Sequence, residues 1–136
     1  MDEQSRNNLI QAVVKVLLRD ARVVFAYLYG SSASGLTGRD MDIAVYLRGQ
    51  EDPYGSSADL KYLLYKETGL DPDIFDIRVM NKIDEHGDLF GLLYLKNVLE
   101  QGRILVDKDP DVRADFLERY GLRYRECEGL IQEVLA

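Results

Sequence analysis

Two apolar runs joined through a glycine-serine turn constrain this chain more than any other feature. Residues 22–29 (RVVFAYLY) are β-branched, aromatic and apolar at both alternating positions, the pattern of a central strand covered on both faces. The turn G-S-S-A-S-G follows, then a second strand near residues 42–47. Helical patterns surround this pair. Leu9, Ile10, Val13, Val14 and Leu17 fall on one face of a helix spanning 7–18. Ser56 with Asp59 resembles a capping box opening a helix that runs to about Thr68 and stops at Gly69. Residues 73–79 (DIFDIRV) read as a third strand, 88–99 as a helix ending before Gly102, and 103–106 as a short edge strand. Asp109-Pro110 has N-cap chemistry. It opens a long final helix carrying Phe116, Leu117, Tyr120, Tyr124, Leu130 and Val134, with Gly121 as the place for a bend. The expectation is one α/β domain over residues 1–136, its strands separated by helices.

Charge and composition narrow the function classes. A formal net charge of −7 argues against binding nucleic acid directly through a broad basic face, since phosphate neutralisation dominates that affinity. It leaves nucleotide phosphates accessible through bridging divalent cations, and it suits a basic protein partner. No apolar run approaches the ~20 residues that span a bilayer, and the N-terminus lacks an apolar export core, so no membrane association is expected. Cys127 is the sole cysteine and allows no internal disulfide, in keeping with a reducing cytoplasm. His86 is the sole histidine, which excludes a His/Cys zinc cluster within the chain.

The turn has P-loop glycine spacing, Gly30 to Gly35, but Leu36 and Thr37 stand where a P-loop places Lys and Ser or Thr. The charge must come from elsewhere. Asp-x-Asp occurs four times in the chain, at 40/42, 71/73, 107/109 and 109/111. The last two flank Pro110 and suit a helix dipole. Asp40 and Asp42 alone open an apolar strand directly after a glycine-serine turn, and residues i and i+2 of a strand share a face. Two carboxylates held together repel unless a cation lies between them, and one or two Mg²⁺ ions completed by substrate phosphates are the usual solution. Ser31 and the neighbouring backbone N–H groups, Ser32 included, would form an anion-binding nest beside them. An EF-hand fails because Ala44 occupies a ligand position and a strand runs through the loop. A surface turn with two solvated aspartates is the bland alternative.

The segment YLYGSSASGLTGRDMDIAVYL resembles the signature of the minimal nucleotidyltransferases of the DNA polymerase β superfamily: apolar strand, Gly-Ser, a loop, Asp-x-Asp, apolar strand. DIFDIRV resembles the third strand of that family, and VLEQGRILVDKDPDVRADFLERY its tail. The resemblance implies an α+β fold with a small mixed β-sheet flanked by helices. It implies triphosphate binding by Gly30 and Ser31, and metal ligation by Asp40 and Asp42 with a third carboxylate from strand three. Asp73 is the better match for that third ligand and Asp76 the alternative, since only one can sit with the pair. It further implies AMP transfer from ATP with Mg²⁺ or Mn²⁺, and an antitoxin role in a hetero-oligomer with a HEPN-domain toxin whose tyrosine is AMPylated. Two departures stand out. Eight residues separate Ser31 from Asp40, and Ser34 replaces the customary basic residue, leaving Arg39 as a substitute. The rival expectation is a non-catalytic module that masks a basic toxin.

Overall fold

The computed structural model describes residues 2–30, 40–49, 52–83 and 89–136. The elements are α1 (Glu3–Arg19), β1 (Val23–Tyr29), β2 (Met41–Leu47), α2 (Pro53–Thr68), a one-turn 3₁₀ helix (Pro72–Ile74), β3 (Phe75–Val79), α3 (Leu89–Gln101), β4 (Arg103–Asp107) and α4 (Pro110–Leu135). The strands form one mixed sheet in the order β3-β2-β1-β4. β1 pairs antiparallel with β2 and β4, and β2 pairs parallel with β3. The mixed sheet between helices, with β1 central and β4 at an edge, agrees with the sequence expectation.

Helices cover both faces, which is why β1 is buried along its whole length. One cluster unites Ile10, Val13 and Leu17 of α1 and Leu60 and Leu64 of α2 with Leu28, Ile43 and Phe75 of the sheet. The opposite cluster unites Phe25, Tyr27, Tyr29 and Ala44 with Leu95 and Val98 of α3 and Phe116 of α4. Simple alternation breaks at one point. Val24 and Phe25 are consecutive yet belong to the same cluster, because the β1–β2 register shifts between Val23 and Phe25. A bulge there swings the following residues onto new faces.

The capping chemistry corrects two boundaries. Each of the three prolines follows an aspartate, and each such pair opens a helical turn. Asp52, not Ser56, caps α2, its carboxylate accepting from the N–H groups of Tyr54 and Gly55. Ser56 lies inside the helix, 3% exposed. A proline already set to φ near −65° begins the helix earlier than a capping box three residues on. Gly69 ends α2 in the left-handed conformation, as its sequence position suggested.

At Asp71-Pro72 the same device winds residues 72–74 into the 3₁₀ turn, and Asp71 accepts from the N–H of Asp73 at 2.9 Å. Asp73 therefore precedes β3 rather than belonging to it. In α4, which continues unbroken through Gly121, only Phe116 and Ile131 are buried, while Leu130 and Val134 are more than half exposed. The apolar residues of its second half do not all serve the core of this chain.

Candidate active site at the mouth of β1 and β2

The parallel register of β2 and β3 sets the site. Asp42 lies opposite Asp76, and on its other side opposite Tyr29, so one row across the sheet reads Tyr29, Asp42, Asp76. The next row on the same face contains Ala44 opposite Arg78. Met41, Ile43 and Phe75, one residue out of phase, point into the α1–α2 core and lock the carboxylates onto the α3–α4 side. A slip of one residue would bury both carboxylates among leucines. The hydrophobic pattern thus holds the pair in place.

The electrostatics are those of repelling neighbours. The Asp42 carboxyl is pushed above its ordinary value, first by partial burial and then by the charge of Asp76, with which it shares a hydrogen bond; Asp40 adds further repulsion. Tyr29 titrates high, chiefly through burial, with the Tyr94 hydroxyl pulling the other way and Asp42 and Asp76 reinforcing the rise. The Tyr94 hydroxyl donates to that of Tyr29 at 3.3 Å, and the rings meet edge to face at 85°. The guanidinium of Arg78 lies 3.9 Å from the centroid of the Tyr94 ring.

Gly30 closes the site at the end of β1. Its φ of +73° lies in the left-handed region, and a Cβ there would come within 2.5 Å of Asp42 Oδ2. Glycine is needed both for the turn and for that close approach.

Of the residues singled out from the sequence, Gly30, Asp40 and Asp42 cluster at this mouth, with Asp76 completing the row. Asp73, the preferred third carboxylate, does not: it sits in the 3₁₀ turn that precedes β3. Its place is taken by Asp76 because the Asp71-Pro72 turn delays the strand until Phe75. Ser31, Ser32, Ser34 and Arg39, with the nest expected around them, lie outside the described residues, as does His86. Sequence reasoning missed Tyr94, whose place on α3 over the site is a tertiary fact, and Arg78, whose signal was its i+2 spacing from Asp76.

Among the described residues no three His, Cys, Asp or Glu side chains stand ready-made around one metal position. What they offer is a carboxylate pair in register, Asp42 and Asp76, with Asp40 beside it. The donor set is all oxygen and its mutual repulsion is relieved by a divalent cation, so these residues fit Mg²⁺ or Mn²⁺. A cavity of about 660 Å³, lined in part by Val16, Arg19 and Leu63, lies elsewhere between α1 and α2. No helix among the described residues is long and apolar enough to cross a membrane.

Several solved structures share the fold. A chain of a toxin–antitoxin structure with AMP-PNP superposes with a TM-score of 0.61 at 21% identity, covering 93% of this chain and 98% of that one. A chain from the tri-AMPylated Shewanella oneidensis HEPN toxin in complex with MNT antitoxin gives 0.60 at 19%, covering 96% and 99%. A chain of the toxin–antitoxin MntA–HepT gives 0.58 at 19%, again covering 96% and 99%. At these identities the likeness is one of fold. No curated protein matches the chain in sequence. The model of the family described as polymerase beta, nucleotidyltransferase matches residues 11–111, a span that contains every strand, Gly30 and all three clustered aspartates. The chain belongs to the polymerase β nucleotidyltransferase family.

Proposed function

We propose that this protein transfers AMP from ATP to a hydroxyl of a HEPN-type toxin and thereby serves as its antitoxin. The observation that carries the reading is the register of Asp42 against Asp76 beside Gly30, within a nucleotidyltransferase family domain. The partner class is supported by the tri-AMPylated HEPN toxin bound to an MNT antitoxin in a structure of the same fold.

In this reading Asp40, Asp42 and Asp76 hold the divalent metal, with Asp76 replacing Asp73 in that role. Gly30 lets the chain turn close against the triphosphate, and Ser31, Ser32 and Arg39 follow it in sequence as further phosphate ligands. When bound, Mg²⁺ or Mn²⁺ supplies positive charge against the triphosphate and orients the reacting oxygens. The acceptor oxygen forms its bond to the α-phosphorus as the α–β bridging bond breaks, and pyrophosphate leaves with the electron pair. Asp76, the more exposed of the pair, accepts the hydroxyl proton. A cytoplasmic location is in keeping with ATP as the substrate of this reading and with the free Cys127.

The test is incubation with α-labelled ATP, Mg²⁺ and the protein encoded beside it. Label on that protein, lost in the Asp40→Asn/Asp42→Asn variant, supports the reading. The net charge of −7 favours a second one, in which the chain masks a basic partner without chemistry. That reading wins if wild type transfers no label, yet wild type and variant block the partner equally.

A further inference from the structure

The turn after β1 carries neither a P-loop lysine nor a basic residue at Ser34, and among the described residues Arg78 is a cation on the same sheet face as the carboxylates. Arg78 stands two residues beyond Asp76 on β3, about 6.6 Å along the same face, and opposite Ala44 in the register with β2. Its guanidinium lies on the Tyr94 ring at 3.9 Å, and Tyr94 is itself fixed by its hydroxyl contact with Tyr29. Among the described residues no ion pair ties Arg78 to Asp42 or Asp76. Stacking occupies the face of a guanidinium and leaves its N–H fork free in the plane, the geometry that recognises phosphate oxygens.

Building on the nucleotidyltransferase reading above, we propose that Arg78, held by Tyr94, donates directly to the phosphate chain of the bound nucleotide and sets affinity for it. Asp76 and Arg78 share one face of β3, so a phosphate chain held beside the carboxylates would pass the guanidinium. The contact supplies from β3 the cation that the turn after β1 lacks at Ser34.

The test measures binding of ATP with Mg²⁺ by calorimetry, independently of transfer. Arg78→Gln is expected to weaken affinity roughly ten- to hundredfold, the worth of a lost hydrogen bond to a charged group, with the unliganded Tm unchanged. Arg78→Lys keeps charge but not the planar fork, and recovers part of the loss. Arg103→Gln, at the opposite edge of the sheet, removes the same charge and should stay within about twofold of wild type, because a distant charge is screened. Wild-type affinity in Arg78→Gln, or an equal loss in Arg103→Gln, overturns the assignment while leaving the nucleotidyltransferase reading intact. If Arg78→Gln lowers the Tm, Arg78→Lys carries the test, and wild-type affinity there overturns the stacked-fork contact. Failure of the wild type to bind ATP with Mg²⁺ overturns both.

Discussion

Gly30→Ala isolates the closest approach in the site. The substitution has two separable costs. Alanine at φ +73° occupies left-handed space at about 1–2 kcal/mol. Its Cβ would also meet Asp42 Oδ2 at 2.5 Å, whereas ordinary contact begins at 3.4 Å, so the carboxylate must retreat by about 0.9 Å. That retreat is cheap for folding, since a side-chain end can rotate. It is expensive for function, since a displacement near 1 Å at a reacting centre can cost on the order of 10²-fold in rate. The expected result is a Tm lowered by roughly 3–8 °C together with a far larger relative loss of label transfer from α-labelled ATP. A cycle with Asp42→Ala separates the terms: without the carboxylate, Gly30→Ala should keep its backbone cost and lose the steric one. The reasoning is refuted if Gly30→Ala transfers AMP at the wild-type rate, because Asp42 then does not sit where the register places it.

Three further outcomes follow from the same row of residues. ATP should raise the Tm only with Mg²⁺ or Mn²⁺ present, by the equivalent of about 2.7 kcal/mol at a hundredfold excess over Kd; an equal shift in EDTA contradicts metal bridging. Asp76→Asn should abolish transfer while Asp73→Asn, altering only the 3₁₀ turn, leaves most of it; the opposite result in the labelling assay would place the metal on the other side of β3. Because the folded Asp42 carboxyl titrates above its ordinary 3.8, the native state holds the proton more tightly than the unfolded chain, so this group costs stability as pH rises from about 3.8 through the raised value. Asp42→Asn should accordingly raise the Tm at pH 7 and not at pH 3, and an equal effect at both in thermal melts refutes the repulsion.

The sequence made the scaffold legible because its signals were local. A run apolar at both alternating positions demanded two covered faces, and β1 is buried throughout. Gly69 and Asp109-Pro110 marked helix ends by chemistry that acts within a few residues. The departures at α2 and β3 have one physical origin, itself local: Asp52-Pro53 and Asp71-Pro72 carry the same capping chemistry as Asp109-Pro110. The second takes Asp73 off the strand and into the 3₁₀ turn. The positive choice of Asp76 was harder. Alternation along β3 sorts residues into two faces but does not say which face looks toward Asp42. That depends on the parallel register with β2, a pairing between strands separated by the whole of α2. Burial settles it energetically: Phe75 and Ile77 are driven into the α1–α2 core, so Asp76 and Arg78 must share the other face with Asp42 and Ala44. The same non-local step brings Tyr94 of α3 onto Arg78. The carboxylate pair is therefore a by-product of core packing on the far side of the sheet, and substitutions at Phe75 or Ile77 that disturb that packing should reach the chemistry without touching it.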